Sequence, residues 1–282
     1  MTSILITGST GFVGSQIISL LANTNIEIVL VVRSGKENKY RKISNVKKII
    51  STNDIFEESI DWWVDACDGI DLVLHTAWYM EPGKCIQSKK NYDCLSGSLN
   101  LIKGATKAKI KRFVGIGTCF EYDLTVGDLS IDTPLKPNSL YGASKALLYL
   151  NALDWFSRTN IDFVWCRLFY LHGENESPNR LVKYIRTRLE NRKYAELTNG
   201  DQIRDFLHIS DACKMIIELV HGDQVGPVNI CSENPITVRK LAENIADEYG
   251  RRDLLKFGTR QKNKIDPQRI VGISNFVHAK KR

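Results

Sequence analysis

Nearly continuous apolar runs alternate with stretches of helical periodicity through the first 170 residues. Met1–Ile6, EIVLVVR (27–33), VKKIIS (46–51), IDLVLHTA (70–77), KRFVGIG (111–117) and IDFVWCRLF (161–169) read as strands. A run that is apolar at successive positions, rather than at every second one, belongs to a strand covered on both faces, as in a parallel sheet. SGSLNLIKGATKA (96–108) and YGASKALLYLNALDWFSR (141–158) carry apolar residues at helical spacing. This alternation predicts an α/β fold, a doubly wound parallel sheet over residues 1–170 whose ligand lies beyond the carboxyl ends of the strands.

After residue 170 the pattern loosens. Gly173–Pro178 reads as a loop, NRLVKYIRTRLENRK (179–193) as a basic amphipathic helix, and further helices fall near Asp211–His221 and Thr237–Tyr249, with DFLHIS and PVNIC around them. A smaller C-terminal α/β substrate lobe over 171–282 is expected, packed on the first domain. The tail from Gln261 to Arg282 fits no element.

The first strand meets its helix in ILITGSTGFVGSQIISLL (4–21), where Gly8, Gly11 and Gly14 fall between the two. Glycine accepts positive φ and lets a ligand approach the backbone. The helix N-terminus beyond it offers unpaired N–H groups to an anion. Together they form a seat for a pyrophosphate.

Composition narrows the classes. The 282 residues are 43% apolar and 25% charged, ordinary for a soluble globular protein. The sequence shows no signal-peptide pattern and no run long enough to span a bilayer, so no membrane partner is expected. Seven scattered cysteines without CxxC spacing argue for reduced thiols in the cytoplasm and against a metal site. The net charge of +7 comes from Lys and Arg spread over the chain, with short clusters at Lys36–Lys48, Lys103–Arg112 and Lys280–Arg282. A nucleic-acid binder would concentrate them among aromatics, so an anionic small substrate is the simpler reading, with no nucleic-acid partner. A homodimer is expected.

LYGASK (140–145) places Tyr141 and Lys145 one helical turn apart on a single face. A tyrosine ordinarily loses its proton near pH 10, and a neighbouring ammonium would stabilise the phenolate and lower that value. In GIGTCFEY (115–122), Thr118 closes a strand, where its hydroxyl can bond a substrate oxygen or simply cap the strand end.

These motifs resemble those of the extended short-chain dehydrogenase/reductase family, in its branch of nucleotide-sugar epimerases, dehydratases and reductases. The resemblance rests on Thr7–Gly14 as T-G-x-x-G-F-x-G, Thr118–Tyr122 as [ST]-x-x-x-Y, Tyr141–Lys145 as Y-G-x-S-K, and Gly200–Asp211 around Arg204-Asp205. It implies a Rossmann-type sheet in which Gly8, Thr10, Gly11, Phe12 and Val13 hold the pyrophosphate. Asp54 and Ile55 would border the adenine, and Thr76 and Ala77 the nicotinamide-side ribose, which Lys145 would bond. Tyr141 would exchange a proton with the sugar, helped by Thr118, while Arg204 would grip the diphosphate of a nucleotide-diphosphate sugar. An ion pair with Asp205 is the alternative for that arginine.

The chain departs from the pattern in ways that bear on the reaction. The usual Asn on the helix before the fifth strand aligns with Cys94, and R-x-x-N-x-Y-G becomes Arg167–Gly173 with Tyr170 and His172. The 4,6-dehydratases of the branch carry Asp-Glu after the strand-end Thr, where this chain has Cys119 and Phe120. The second strand ends in Val32-Arg33, with no carboxylate for the ribose hydroxyls of NAD and a guanidinium where a 2′-phosphate would lie. NADP(H) is therefore the expected cofactor, with NAD(H) as the alternative. The expected activity is reduction of a 4-keto-6-deoxyhexose nucleotide. An epimerase of the same fold and a non-catalytic dinucleotide sensor are the alternatives.

Overall fold

A computed structural model describes residues 2–22, 24–261 and 266–278. Met1 of the first expected strand and the Lys280–Arg282 cluster lie outside the described residues. In chain order the strands are β1 (Ser3–Thr7), β2 (Glu27–Arg33), β3 (Val46–Thr52), β4 (Leu72–His75), β5 (Arg112–Thr118), β6 (Asp128–Leu129) and β7 (Asp162–Leu168). They continue as β8 (Tyr170–His172), β9 (Ala195–Glu196), β10 (Ile203–His208), β11 (Gly226–Ile230), β12 (Pro235–Thr237), β13 (Leu255–Lys256) and β14 (Arg269–Gly272). The α-helices are α1 (Phe12–Leu21), α2 (Ile60–Ala66), α3 (Lys90–Lys107), α4 (Leu140–Ser157), α5 (Leu181–Glu190), α6 (Ile209–His221) and α7 (Val238–Glu248).

A seven-stranded sheet of order β11-β7-β5-β4-β1-β2-β3, parallel throughout, forms the larger layer. Alternate residues of each strand feed two cores, which is why its strands are apolar at nearly every position. Ile4, Ile6, Ile28 and Leu30 join α1 and α6 on one face, while Leu5, Val29, Val31 and Phe113 meet α2, α3 and α4 on the other. The chain leaves β1 toward β2 and β3, then returns to place β4 on the opposite side of β1. That reversal opens a crevice at the carboxyl ends of β1 and β4, where a doubly wound sheet binds its ligand.

The smaller lobe carries a sheet of order β12-β10-β14-β6, with β8 also paired to β10, and the short pair β13-β9. Helices α5 and α7 enclose its separate core around Ile185 and Ile245. The expected boundary at residue 170 cuts through this arrangement. Helix α6 covers the large sheet and β11 extends it beyond β7, so the chain re-enters the first layer after 170. The tail, left without an element by its pattern, contributes β14 and pairs in parallel with both β10 and β6.

Candidate active site

A cleft of about 1100 Å³ lies along the carboxyl ends of the large sheet and extends under the smaller lobe. Its floor is the turn between β1 and α1. Gly8 has φ +74°, and a Cβ there would stand 2.6 Å from both the Ala77 nitrogen and the Thr76 Oγ1. A Cβ on Gly14 would fall 2.2 Å from the Gly8 carbonyl oxygen, so the first turn of α1 packs directly on the loop. Gly11 caps α1 without a side-chain hydrogen bond, and the first turn holds no acid. The helix thus presents open N–H groups and its positive end to the cleft. Thr10, Phe12 and Val13 line the same wall.

The residues expected at the adenosine end also line the cleft. Arg33, at the exposed end of β2, lines the cleft together with Asp54 and Ile55, which follow β3. Thr76 and Ala77, beyond β4, line its middle. Thr76 Oγ1 donates to the Thr7 carbonyl at 2.7 Å and ties the β4 loop to β1.

The chemical end brings Thr118, Tyr141 and Lys145 into one wall. Ser139 caps α4 by accepting from the Gly142 N–H at 3.1 Å, which starts the helix so that Tyr141 and Lys145 face β5. The Thr118 N–H donates to Glu121 Oε1 at 2.8 Å, and its hydroxyl accepts from the Phe120 N–H at 3.3 Å. Lys145 is 2% exposed and donates from Nζ to the Ile116 carbonyl at 2.6 Å. Burial lowers its pKa to about 7, against the opposing pull of Glu121 and Cys94.

The sequence predicts a lowered tyrosine pKa, and the structure departs from that expectation. Burial pushes the Tyr141 phenol well above its ordinary range, with the hydrogen bond to Thr118 opposing it. Desolvation is the larger effect here, and the Lys145 amine gives its hydrogen bond to the β5 carbonyl.

Arg204 stands apart. It is 3% exposed, pairs with Asp266 at 2.7 Å and donates to the Pro267 carbonyl at 2.7 Å, and it does not line the cleft. The structure thus places the guanidinium expected to grip a diphosphate outside the cleft lining and in a pair with Asp266, not with Asp205. Neighbouring strand residues face opposite ways; Asp205 instead accepts from the Ser232 and Glu233 N–H groups at 2.7 and 2.9 Å. Tyr122, the last residue of the Thr118 motif, is fully buried and donates to Asn229 Oδ1 at 2.7 Å, away from the cleft.

Other cleft residues escaped the motif reading. Asn179 and Arg180 line it from the loop after β8, and Phe120 and Trp78 line its chemical end. The buried amide on α3 is Asn91, one turn before Cys94; it holds the Trp78 indole, while the Cys94 sulfur accepts from the Tyr79 N–H at 3.4 Å. Only the Pro178-Asn179-Arg180 run after a glycine loop could have signalled any of these. Among the described residues no cluster could hold a metal ion, and no helix is long and apolar enough to cross a membrane.

Fold and site together define a two-lobed Rossmann-type protein with a dinucleotide seat and a Thr-Tyr-Lys set at its end. The sequence profile of the NAD dependent epimerase/dehydratase family matches residues 4–231. The chain belongs to that family. It is 25% identical over 277 residues to dTDP-6-deoxy-L-talose 4-dehydrogenase (NAD(+)) of Aggregatibacter actinomycetemcomitans, covering 96% of this chain and 99% of that one. It is 26% identical over 262 residues to dTDP-glucose 4,6-dehydratase of Streptomyces niveus, covering 88% and 77%.

Among solved structures, UDP-N-acetylglucosamine 4-epimerase from Methanobrevibacter ruminantium M1, in complex with UDP-N-acetylmuramic acid, superposes with a TM-score of 0.86 at 19% identity, covering 97% of this chain and 90% of that one. The dTDP-glucose 4,6-dehydratase DesIV from Streptomyces venezuelae, with NAD and TYD bound, gives 0.80 at 21%, covering 97% and 88%. These likenesses establish the fold. The residues present fit the dinucleotide that the family name implies, because the uncapped N-terminus of α1 opens on the cleft with no acid in its first turn, and a Cβ on Gly11 would meet only the Gly8 carbonyl oxygen, at 3.3 Å.

Proposed function

We propose that the protein is an NADPH-dependent reductase of a nucleoside-diphosphate 4-keto-6-deoxyhexose. The observation that carries this reading is the convergence of Thr118, Tyr141 and Lys145 at the end of the dinucleotide seat, with no carboxyl group at the two positions after Thr118. Cys119 is 1% exposed and Phe120 is an aromatic wall, so elimination of water from the sugar lacks its acid and base. The relative named as a dTDP-6-deoxy-L-talose 4-dehydrogenase supports chemistry at carbon 4 of a 6-deoxyhexose, in the direction opposite to reduction.

Gly8, Gly11 and the N-terminus of α1 would hold the pyrophosphate, Thr76 and Ala77 the inner ribose, and Arg33 a 2′-phosphate. When bound, the reduced dinucleotide supplies the hydride. Tyr141 delivers its proton to the ketone oxygen as that oxygen gains charge. The high pKa of the buried phenol keeps the proton in place until then. Thr118 bonds the same oxygen and holds the tyrosine hydroxyl. Lys145 places positive charge beside the phenolate that remains. Arg180 is the cation that the loop after β8 brings to the cleft, and it is the candidate for the sugar nucleotide's phosphates, in place of Arg204.

A homodimer is supported by the outer face of α4, which exposes Leu147, Leu150, Leu153 and Trp155. The seven free, buried cysteines support a cytoplasmic setting. The test is incubation of a 4-keto-6-deoxyhexose nucleotide with NADPH. Stoichiometric NADPH loss with formation of a 4-hydroxy sugar is expected; interconversion of two stereoisomers without NADPH loss would replace the reading with epimerisation.

A further inference from the structure

The Lys145 ammonium lies 3.8 Å from the centroid of the Trp78 ring, in the wall that also holds Tyr141. Its other close partner is the Ile116 carbonyl at 2.6 Å, and the Trp165 ring is farther away at 5.7 Å. The indole is fixed in turn. Trp78 Nε1 donates to Asn91 Oδ1 at 2.8 Å, and Asn91 Nδ2 donates to the Cys85 and Ser88 carbonyls at 2.7 and 2.8 Å. Asn91 is fully buried, so the aromatic plane is anchored to the start of α3 and cannot swing freely. Phe56 and Tyr141 meet the indole edge-on, with centroids 6.4 and 6.5 Å away.

We propose that Trp78 is a positioning residue for Lys145, its indole face holding the ammonium charged and pointed along the wall while the Asn91 amide holds the indole. The proposal rests on Lys145 serving the reducing site described above. A desolvated cation recovers part of its lost hydration from an aromatic face when the ring is held at contact distance. Around Lys145 the titratable groups are Glu121 beyond β5, Cys94 on α3, His75 on β4 and Tyr141 on its own helix. Glu121 and Cys94 favour the charged amine, while the charge of Lys145 disfavours protonation of His75. Of these groups only Tyr141 shares the cleft wall with Trp78, and the indole is the aromatic face nearest the ammonium.

The test uses protein labelled with ¹³C at lysine Cε, with the Lys145 signal identified by its loss in Lys145→Met. Wild type, Trp78→Phe and Trp78→Leu are titrated without substrate, and kcat and KM are measured over the same pH range. Trp78→Leu keeps apolar bulk but removes the π face; it is expected to move the Lys145 midpoint down by about one pH unit. Trp78→Phe, which keeps a smaller π face, should fall between. The alkaline limb of kcat should move down with the midpoint while KM changes less. A midpoint unchanged or raised in both variants overturns the proposal, because Trp78 would then act only as packing or as a barrier to solvation. The titration also separates the two readings: a midpoint that moves as expected in a protein that consumes no NADPH leaves Trp78 in place and removes the reductase.

Discussion

Glu121 and Arg167 form an ion pair of 2.7 Å in which the side chains are 0% and 1% exposed, directly behind the strand end that carries Thr118. The carboxylate also accepts from the Trp165 indole N–H at 3.0 Å and from the Thr118 N–H at 2.8 Å. Arg167 Nη1 donates to Tyr122 OH at 3.0 Å. Burial pushes the Glu121 carboxyl up, and the Arg167 guanidinium opposes it. Removing one partner leaves the other charge buried and uncompensated, which typically costs about 3–5 kcal/mol. Glu121→Leu should therefore lose about that much in urea denaturation, and activity with it, since Thr118 loses its anchor. The double variant Glu121→Leu/Arg167→Met should lose less than the sum of the single variants. Strict additivity would show that the pair is not a unit.

Tyr141→Phe removes one hydroxyl from a wall otherwise held by packing and by the α4 cap. Activity should fall by about 10²–10⁴-fold, the usual worth of a general acid or base, with little change in stability or dinucleotide affinity. Lys145→Met should lower both turnover and dinucleotide binding, because in the proposed site the amine serves both the tyrosine and the bound dinucleotide. Wild-type turnover in Tyr141→Phe would refute the role given to that phenol.

Arg33 tests the cofactor. It ends β2 at the rim of the cleft, and the strand carries no acid at that end. A guanidinium there favours a phosphate monoester on the ribose and gives NADH nothing comparable. Arg33→Ala should weaken NADPH binding by about tenfold or more, the worth of one or two charge-assisted hydrogen bonds, and leave NADH almost unchanged. Fluorescence titration with both dinucleotides measures the difference, and equal losses would refute it.

What the sequence disclosed was local. EIVLVVR is β2 residue for residue, because a strand buried on both faces must be apolar throughout. The glycine turn and the Tyr141–Lys145 pair were legible because each lies within a single turn or helix. The Arg204–Asp266 pair joins residues 62 apart in the chain, and no periodicity links them. The contact of Trp78 with Lys145 was hidden for the same reason, as it joins the loop after β4 to helix α4. PVNIC is too short to reveal that it leaves the smaller lobe to pair with β7, which only the packing of α6 on the large sheet decides.

His75 predicts how stability depends on pH. It is 2% exposed, with Nδ1 2.8 Å from the Thr7 hydroxyl and Nε2 2.8 Å from the Ser98 hydroxyl. Ser98 spends its proton on the Cys94 carbonyl at 2.6 Å, so Nε2 must carry the hydrogen and Nδ1 must accept from Thr7. The ring is thus satisfied as the neutral form. Burial, with a smaller contribution from Lys145, lowers its pKa from 6.5 to about 3. The unfolded chain therefore takes up a proton below pH 6.5 that the folded protein refuses until about pH 3. Stability falls as pH drops through that window, by about 2 kcal/mol between about pH 7 and pH 5. His172 and His221, also lowered by burial, add to the loss in the same direction. His75→Gln keeps a donor and an acceptor but cannot charge, so its stability should change by about 2 kcal/mol less than wild type over the same interval. Urea denaturation at several pH values measures both slopes. Identical slopes would mean that His75 takes up its proton over the same pH range folded as unfolded, and that burial does not hold the ring neutral.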